Sequence, residues 1–373
     1  MVDNVSFFNY RELFLHQEEK FISIIRDVLS RGAFIMQRDL EEFEEKLAKF
    51  TGAKHAIGLS DGTNAITLGL RACGIGPGDE VIFSSHTMVA TPGAIVMAGA
   101  IPIPCDVDED GLMNAAEAEK LITPKTKMLM PTDLNGRVAD MASISALAEK
   151  AGLMISEDAA QALGASYHGK SAGLFGKFGT FSFYPAKSLG CFGDGGGLIT
   201  DDDNIAAHVH AQRDHGRGGL GSSEVSVWGT NSRLDNVQAA ILSYLIDSFD
   251  ENIARRRQIA SVYNSAFDEI EELGLPPGPG ADEDRFDTYQ NYEMRSERRD
   301  ELREFLSAKN VGTIIQWGGK AVHQFKSLGF DIDLPKTDQF FDECLMIPMN
   351  HLLSDDEVSY VVEAVRSFHG LSS

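Results

Sequence analysis

The chain has 373 residues, with 33 Lys and Arg against 56 Asp and Glu, a formal net charge of −23. At roughly 150 residues per domain, this length predicts about two domains, each with its own core. The acid excess excludes phosphate-backbone binding as the main activity and a polybasic membrane contact, so neither nucleic acid nor membrane is expected as a partner. A single anionic ligand remains compatible, because one local site can be positive on an acidic protein.

Two segments, EKFISIIRDVLSRG (19–32) and DLEEFEEKLAKFTG (39–52), have amphipathic spacing and end at glycine, so they predict helices. Strands are then expected at 56–60, 80–85, 100–107, 127–132 and 153–159, and helices at 62–74, 91–99, 114–122 and 143–152. Apolar runs without period-two alternation, spaced by helices, indicate a mostly parallel sheet covered on both faces. The stretch from Val81 to Cys105 has no charged residue and is long enough to span a bilayer. Pro92, Pro102, Pro104, Gly93 and Gly99 break it, and it reads as strand, loop, helix and strand. Residues 232–270 predict one or two long helices, PPGPGADED (276–284) marks a change of composition, and 295–310 and 354–368 predict further helices. The expected fold is α/β, with a large domain over 1–250 and a small α+β domain over 251–373.

Cys73, Cys105, Cys191 and Cys344 are too few and too scattered for a disulfide framework or a zinc cluster, and a reducing, cytoplasmic compartment fits. The opening residues show no basic stretch followed by an apolar one, so no secretory leader is expected. His208 and His210 are two apart on a predicted helix and point to different faces, which is wrong for a metal pair. No metal is expected.

The chemistry concentrates in ISEDAAQALGASYHGKSAGLFGKFGTFSFYPAKSLGCFGDGGGLITDDD (155–203). Asp158 ends an apolar strand, where open α/β sheets place ligands. Lys187 lies among small and aromatic residues, where a lowered pKa would make its amine a nucleophile toward a carbonyl. Ser182 can offer a hydroxyl to a phosphate, and GDGGG (193–197) permits close backbone approach. Taken singly, each feature is also an ordinary structural one; their joint presence in one block points to a site. Over 151–200, Glu157, Asp158 and Asp194 balance Lys170, Lys177 and Lys187, so the acidity lies elsewhere.

In these motifs the chain resembles the DegT/DnrJ/StrS family of pyridoxal-phosphate-dependent sugar aminotransferases. The likeness is carried by GAFIMQRDLEEFEEKLAKFTGAKHAIGLSDGTNAI (32–66), GDEVIFSSHTMVAT (78–91), ISEDAAQALGASYHGK (155–170), FSFYPAKSLGCFGDGGGLIT (181–200), GTNSRLDNVQAAIL (229–242) and IPMNHLLSDDEVSYVVEAV (347–365). The resemblance implies the type I aminotransferase fold, pyridoxal 5'-phosphate as cofactor, and a homodimer with sites at the subunit interface. It implies that Lys187 binds the cofactor aldehyde and moves the proton, and that Asp158 partners the pyridine nitrogen. Gln161 would bond the ring hydroxyl. Gly62 and Thr63, opening a predicted helix, would hold the phosphate with Ser182, and Asn231 would reach it from the neighbouring subunit. Asn231 also reads simply as a residue at a helix start.

One position departs from the family pattern. Where an aromatic residue usually stacks on the pyridine ring, SSHTMVAT places Met88, with His86 two residues away, and either can cover an aromatic face. His323 falls near where relatives carry a substrate-pocket histidine. Lys320, in the same loop, reads equally as a partner for a substrate carboxylate or phosphate and as a solvated lysine. The implied reaction takes an amino group from glutamate, released as 2-oxoglutarate, to a keto- or aldehydo-sugar, nucleotide-linked or acidic, of surface polysaccharide or lipopolysaccharide biosynthesis. The alternatives are a sugar dehydratase, whose family members replace the lysine by histidine, and a non-catalytic regulatory protein. Lys187 argues against the first, and intact Lys187 and Asp158 against the second.

Overall fold

Short apolar runs alternating with helices dictate a layered molecule, and the computed structural model, which describes residues 2–218 and 223–371, has that form. The elements begin with α1 (Tyr10–Leu15), α2 (Glu18–Ser30), α3 (Arg38–Thr51), β1 (His55–Leu59), α4 (Gly62–Ala72), β2 (Glu80–Ser84), α5 (Ala90–Met97), β3 (Ile101–Cys105), α6 (Ala115–Lys120), β4 (Thr126–Met130) and α7 (Met141–Ala151). There follow β5 (Met154–Ile155), β6 (Glu157–Asp158), the short strands β7 (Ser166–Tyr167) and β8 (Lys170–Ser171), then β9 (Gly179–Ser182), β10 (Gly196–Thr200), α8 (Asp203–Arg213), α9 (Asn236–Leu245) and α10 (Phe249–Phe267). The last part holds β11 (Leu273–Gly274), β12 (Arg285–Phe286), β13 (Tyr292–Ser296), α11 (Arg299–Ala308), α12 (Pro335–Glu343), β14 (Cys344–Ile347) and α13 (Asp355–Phe368).

The main sheet runs β3-β2-β4-β5, all parallel, and continues through β6, β9, β10 and β1. Ser156 alone separates β5 from β6, and a parallel bridge from Thr132 to Asp158 joins the two halves. Among these strands β10 alone is reversed, pairing antiparallel with both β9 and β1. It reads Gly-Gly-Leu-Ile-Thr, and its glycines are needed: a Cβ on Gly196 would stand 2.2 Å from the Asp61 carbonyl carbon. Helices cover both faces, as the uniformly buried β2 and β10 require. Left-handed glycines stop helices where expected, with φ of +78° at Gly52 and +67° at Gly152.

A second, smaller core gathers on the antiparallel sheet β11-β13-β14, where Tyr292, Leu345 and Ile347 pack on Tyr263, Leu302 and Val361. Helix α10 serves both cores: Phe249 and Ile253 face the large one, Ile259 to Phe267 the small one. Val5 pairs with Val311 and is buried in the small core, so the extreme N-terminal residues pack with the C-terminal half rather than with the large domain they precede. Residues 232–270 form two helices split by one 3-10 turn, Ile246–Ser248. The uncharged stretch 81–105 forms β2, α5 and β3, and no helix among the described residues is long and apolar enough to cross a membrane.

Candidate active site

The strand ends β2, β4 and β6, the loop after β9 and the N-terminus of α4 converge on one cleft. Asp61 caps α4: its carboxylate accepts the Asn64 N–H at 2.8 Å, and its carbonyl accepts that of Ala65. The N–H groups of Gly62 and Thr63 keep no partner among the described residues, and the helix N-terminus favours an anion there. A Cβ on Gly62 would stand 3.2 Å from Ser182 Cβ, so the glycine lets the helix end close against the serine hydroxyl. These groups place open backbone N–H donors beside a hydroxyl at a helix N-terminus.

Asp158 is buried at the end of β6. Hydroxyls run toward it in series: Thr132 donates to Thr87 at 3.1 Å, Thr87 pairs with Thr91 at 2.8 Å, and Thr91 donates to Asp158 Oδ2 at 2.6 Å. Burial raises the Asp158 pKa, while the Thr91 hydroxyl and the Lys187 charge pull it back toward the ionised form. Behind it lies a second acid pair. Glu157 accepts the N–H groups of Gly173 (2.8 Å) and Phe175 (2.5 Å), and Asp133 accepts that of Ala139 at 3.0 Å. Burial lifts Glu157 to about 7 and Asp133 well above the carboxylate range, so the pair holds a proton at neutral pH.

Lys187 Nζ makes no hydrogen bond or ion pair among the described residues, and burial pushes its pKa down to about 8 against the pull of Asp158. Its backbone is gripped from two sides. Gln290 accepts the Ser188 N–H at 2.6 Å and donates to the Ala186 carbonyl at 2.9 Å, while Asn252 donates to the Ser188 carbonyl at 2.9 Å. An unpartnered amine of lowered pKa, a buried carboxylate and an open helix N-terminus fit pyridoxal phosphate at its aldehyde, ring nitrogen and phosphate respectively. Gln161 is buried beside them, with its oxygen accepting the Asn135 N–H at 2.8 Å.

Other expected site residues are placed differently. His86 is 0% exposed, wedged against Phe340 and Phe341 at 4.7 and 4.8 Å, and its pKa is pushed down to about 3 by burial. It therefore presents no surface to a ring or a substrate, which corrects the expectation for it. Met88 is 50% exposed, two residues before α5. His323 is also buried, with Nδ1 on Ser85 Oγ at 2.8 Å and Nε2 on Asp338 at 3.0 Å. Both ring nitrogens are committed to tying β2 to α12, so it does not serve as a free substrate contact. Lys320 is exposed and unpaired among the described residues. Asn231 is exposed and bridges Asp214. Arg213 is internal, bonded to Glu44 and to the Gly58 carbonyl.

Sequence reasoning did not single out Thr91, Asn135, Gln290 or Glu293. The Thr-x-x-x-Thr spacing of Thr87 and Thr91 at a helix start was a usable signal; nothing local marks the other three.

The fold and the cleft define a class, a pyridoxal-phosphate-dependent enzyme of the type I aminotransferase fold, in which Lys187 and Asp158 stand close enough to influence each other's charge. The profile of the DegT/DnrJ/EryC1/StrS aminotransferase family matches residues 16–366, and the chain belongs to that family. A dTDP-3-amino-3,4,6-trideoxy-alpha-D-glucose transaminase of Streptomyces venezuelae is 38% identical over 92% of this chain and 90% of its own. A protein of Geobacillus stearothermophilus named a pleiotropic regulatory protein is 36% identical over 98% and 99% of the two chains. The structure of Streptomyces venezuelae DesV in complex with a ketimine intermediate superposes with a TM-score of 0.93, covering 100% of both chains at 35% identity.

Proposed function

We propose that the protein moves an amino group from L-glutamate to the carbonyl of a nucleotide-linked keto-sugar. The observation that carries this reading is a cavity of about 770 Å³ reaching from Lys187 to the N-terminal residues Phe8 and Tyr10, with Arg255, His16 and His351 along it. That volume exceeds the need of glutamate or a free hexose and falls within the range of sites for larger ligands. The Streptomyces relative's dTDP-sugar supports the same class.

When bound, pyridoxal phosphate supplies an aldehyde that takes up the amino group and a ring that draws electrons from the bond being broken. Gly62, Thr63 and Ser182 would hold its phosphate, and Asp158 would hold the proton on its ring nitrogen. With the cofactor bound, Lys187 Nζ, its pKa lowered to about 8 by burial, would be the base that takes the proton from the donor α-carbon and the acid that gives it back. Met88 covers the ring with its polarizable sulfur.

The enzyme works as a homodimer in this reading: Asn231 is exposed on an arm that also carries Trp228, 96% exposed. Four unpaired cysteines accord with a cytoplasmic setting, and a division near residue 250 accords with α10 serving both cores. Lys187 and Asp158 favour transamination over a dehydratase or a purely regulatory role. The test is the visible band of the cofactor-loaded protein, which glutamate should bleach with release of 2-oxoglutarate; a panel of nucleotide keto-sugars and acidic free sugars should then restore it. An unchanged spectrum with glutamate overturns the donor, and recovery only with free sugars overturns the acceptor. Light scattering showing a cofactor-loaded monomer overturns the dimer.

A further inference from the structure

A side-chain amide can offer its oxygen or its nitrogen to a ligand, and only its partners decide which. For Gln161 the decision is made by a backbone group, which can only donate. The Asn135 N–H donates to Gln161 Oε1 at 2.8 Å, and Asn291 Nδ2 approaches the same oxygen at 3.5 Å. The Gln161 NH2 is left without a partner among the described residues.

Asn135 holds that N–H in place from a left-handed conformation, φ +57°, which few residues other than glycine and asparagine adopt. Its side chain is fastened three times. Nδ2 donates to Glu293 Oε2 at 2.6 Å, while Oδ1 accepts from Gln316 Nε2 at 2.5 Å and from Asn291 Nδ2 at 2.8 Å. Glu293 also accepts from Gln316 Nε2 at 3.1 Å. It is buried on β13, the central strand of the small sheet. A contiguous polar network thus runs from the small core to a side chain three residues beyond Asp158.

We propose that Asn135 and Glu293 are positioning residues that fix the Gln161 amide as a hydrogen-bond donor to the ring oxygen of the cofactor. The proposal rests on the reading of Gln161 as the neighbour of that oxygen. A donor there stabilises the ionised oxygen, so the adjacent nitrogen linked to Lys187 releases its proton at lower pH.

The pH midpoint of the visible band of the pyridoxal-phosphate-loaded protein reads this directly. Gln161→Ala is expected to raise the midpoint by about one pH unit, the effect of one hydrogen bond to a charged group. Asn135→Gly keeps the left-handed backbone and the N–H but loses the fastening; Glu293→Ala removes the acceptor. Each should raise the midpoint by about half a unit or more, and Glu293→Gln, which keeps an acceptor, should restore most of it. Adding Asn135→Gly to Gln161→Ala should move the midpoint no further. If Asn135→Gly and Glu293→Ala lower the melting temperature but leave the midpoint alone while Gln161→Ala shifts it, the positioning role is overturned. An additive double variant overturns it too. If Gln161→Ala itself leaves the midpoint unchanged, the underlying reading of Gln161 fails, and this proposal with it.

Discussion

The two walls of the cleft are built in different ways. The wall formed by α4, β6 and the loop after β9 takes its chemistry from element ends: Gly62 and Thr63 open a helix, Asp158 ends a strand, and Lys187 follows one. The opposite wall is assembled from separate segments tied by hydrogen bonds: Asn135, Glu293 and Gln316 bond one another, and His323 bonds Ser85 and Asp338. The first wall leaves the Lys187 amine and the Gly62 and Thr63 N–H groups unpartnered among the described residues, while Asp158 keeps one hydroxyl partner, Thr91. The second is tied together by hydrogen bonds between its segments, with Gln316 Oε1 left unpaired among the described residues, and it braces the first. Reactivity and rigidity are therefore assigned to different parts of the chain.

Variants separate the walls, and the largest effects belong to the first. Lys187→Ala should abolish the visible cofactor band and lower kcat by at least about 10⁴-fold, as expected for loss of a nucleophile that also carries the proton. Residual turnover within tenfold of wild type, measured as 2-oxoglutarate release, would remove Lys187 from its role. Asp158→Asn should lower kcat by roughly 10²- to 10³-fold, in line with losing one preorganised electrostatic contact. Its fold should survive, because Thr91 can still bond the side chain, and circular dichroism would show this.

Gln290→Ala probes the join between the walls. It releases both peptide bonds flanking Lys187 and should lower kcat about tenfold with little change in KM, the mark of a misplaced reacting group. A rise in KM alone would show instead that Gln290 contacts substrate. On the second wall, His323→Gln should cost about 1–2 kcal/mol of stability through its lost pairing, with kcat/KM nearly unchanged. A kcat/KM loss without a fall in melting temperature would return His323 to the substrate pocket.

The smallest effect is that of pH on stability. Glu157 and Glu293 have pKa values raised to about 7 in the folded protein by burial. Groups raised on folding stabilise fully below their unfolded pKa, near 4.3, and that stability is lost as pH rises through about 7. The melting temperature of the cofactor-free protein should therefore fall between pH 5.5 and 8, and Glu157→Gln should flatten the slope. A melting temperature that climbs over this window would contradict the raised values.

Much of the first wall was legible in the residues themselves. A strand-end carboxylate and a lysine in an apolar setting stood out only jointly, in one block, and the helix-start Gly62 and Thr63 were marked by the family resemblance; each of these positions depends on only one element. The same local logic located most helices and strands to within a few residues, since apolar periodicity reports which faces are covered. It did not reveal the reversal of β10, whose Gly-rich sequence suits either direction until Asp61 and Phe181 are brought beside it.

His86 and His323 illustrate the limit. Both looked available for substrate, as polar residues in loops near the cleft often are. Their fate was settled by Phe340, Phe341 and Asp338, which lie more than 250 residues from His86 and up to 18 from His323. Asn135 and Glu293 are likewise unremarkable in their own segments and become a unit only at 2.6 Å. The amino-acid sequence by itself determined the layered α/β architecture and the placing of Asp158 and Lys187 at strand ends and in the loop after a strand, because these follow from burial period and element order. The tertiary structure alone decided which polar side chains are free and which are spent on each other, because hydrogen-bond partners are chosen by proximity in space, and proximity here joins segments that no local pattern relates.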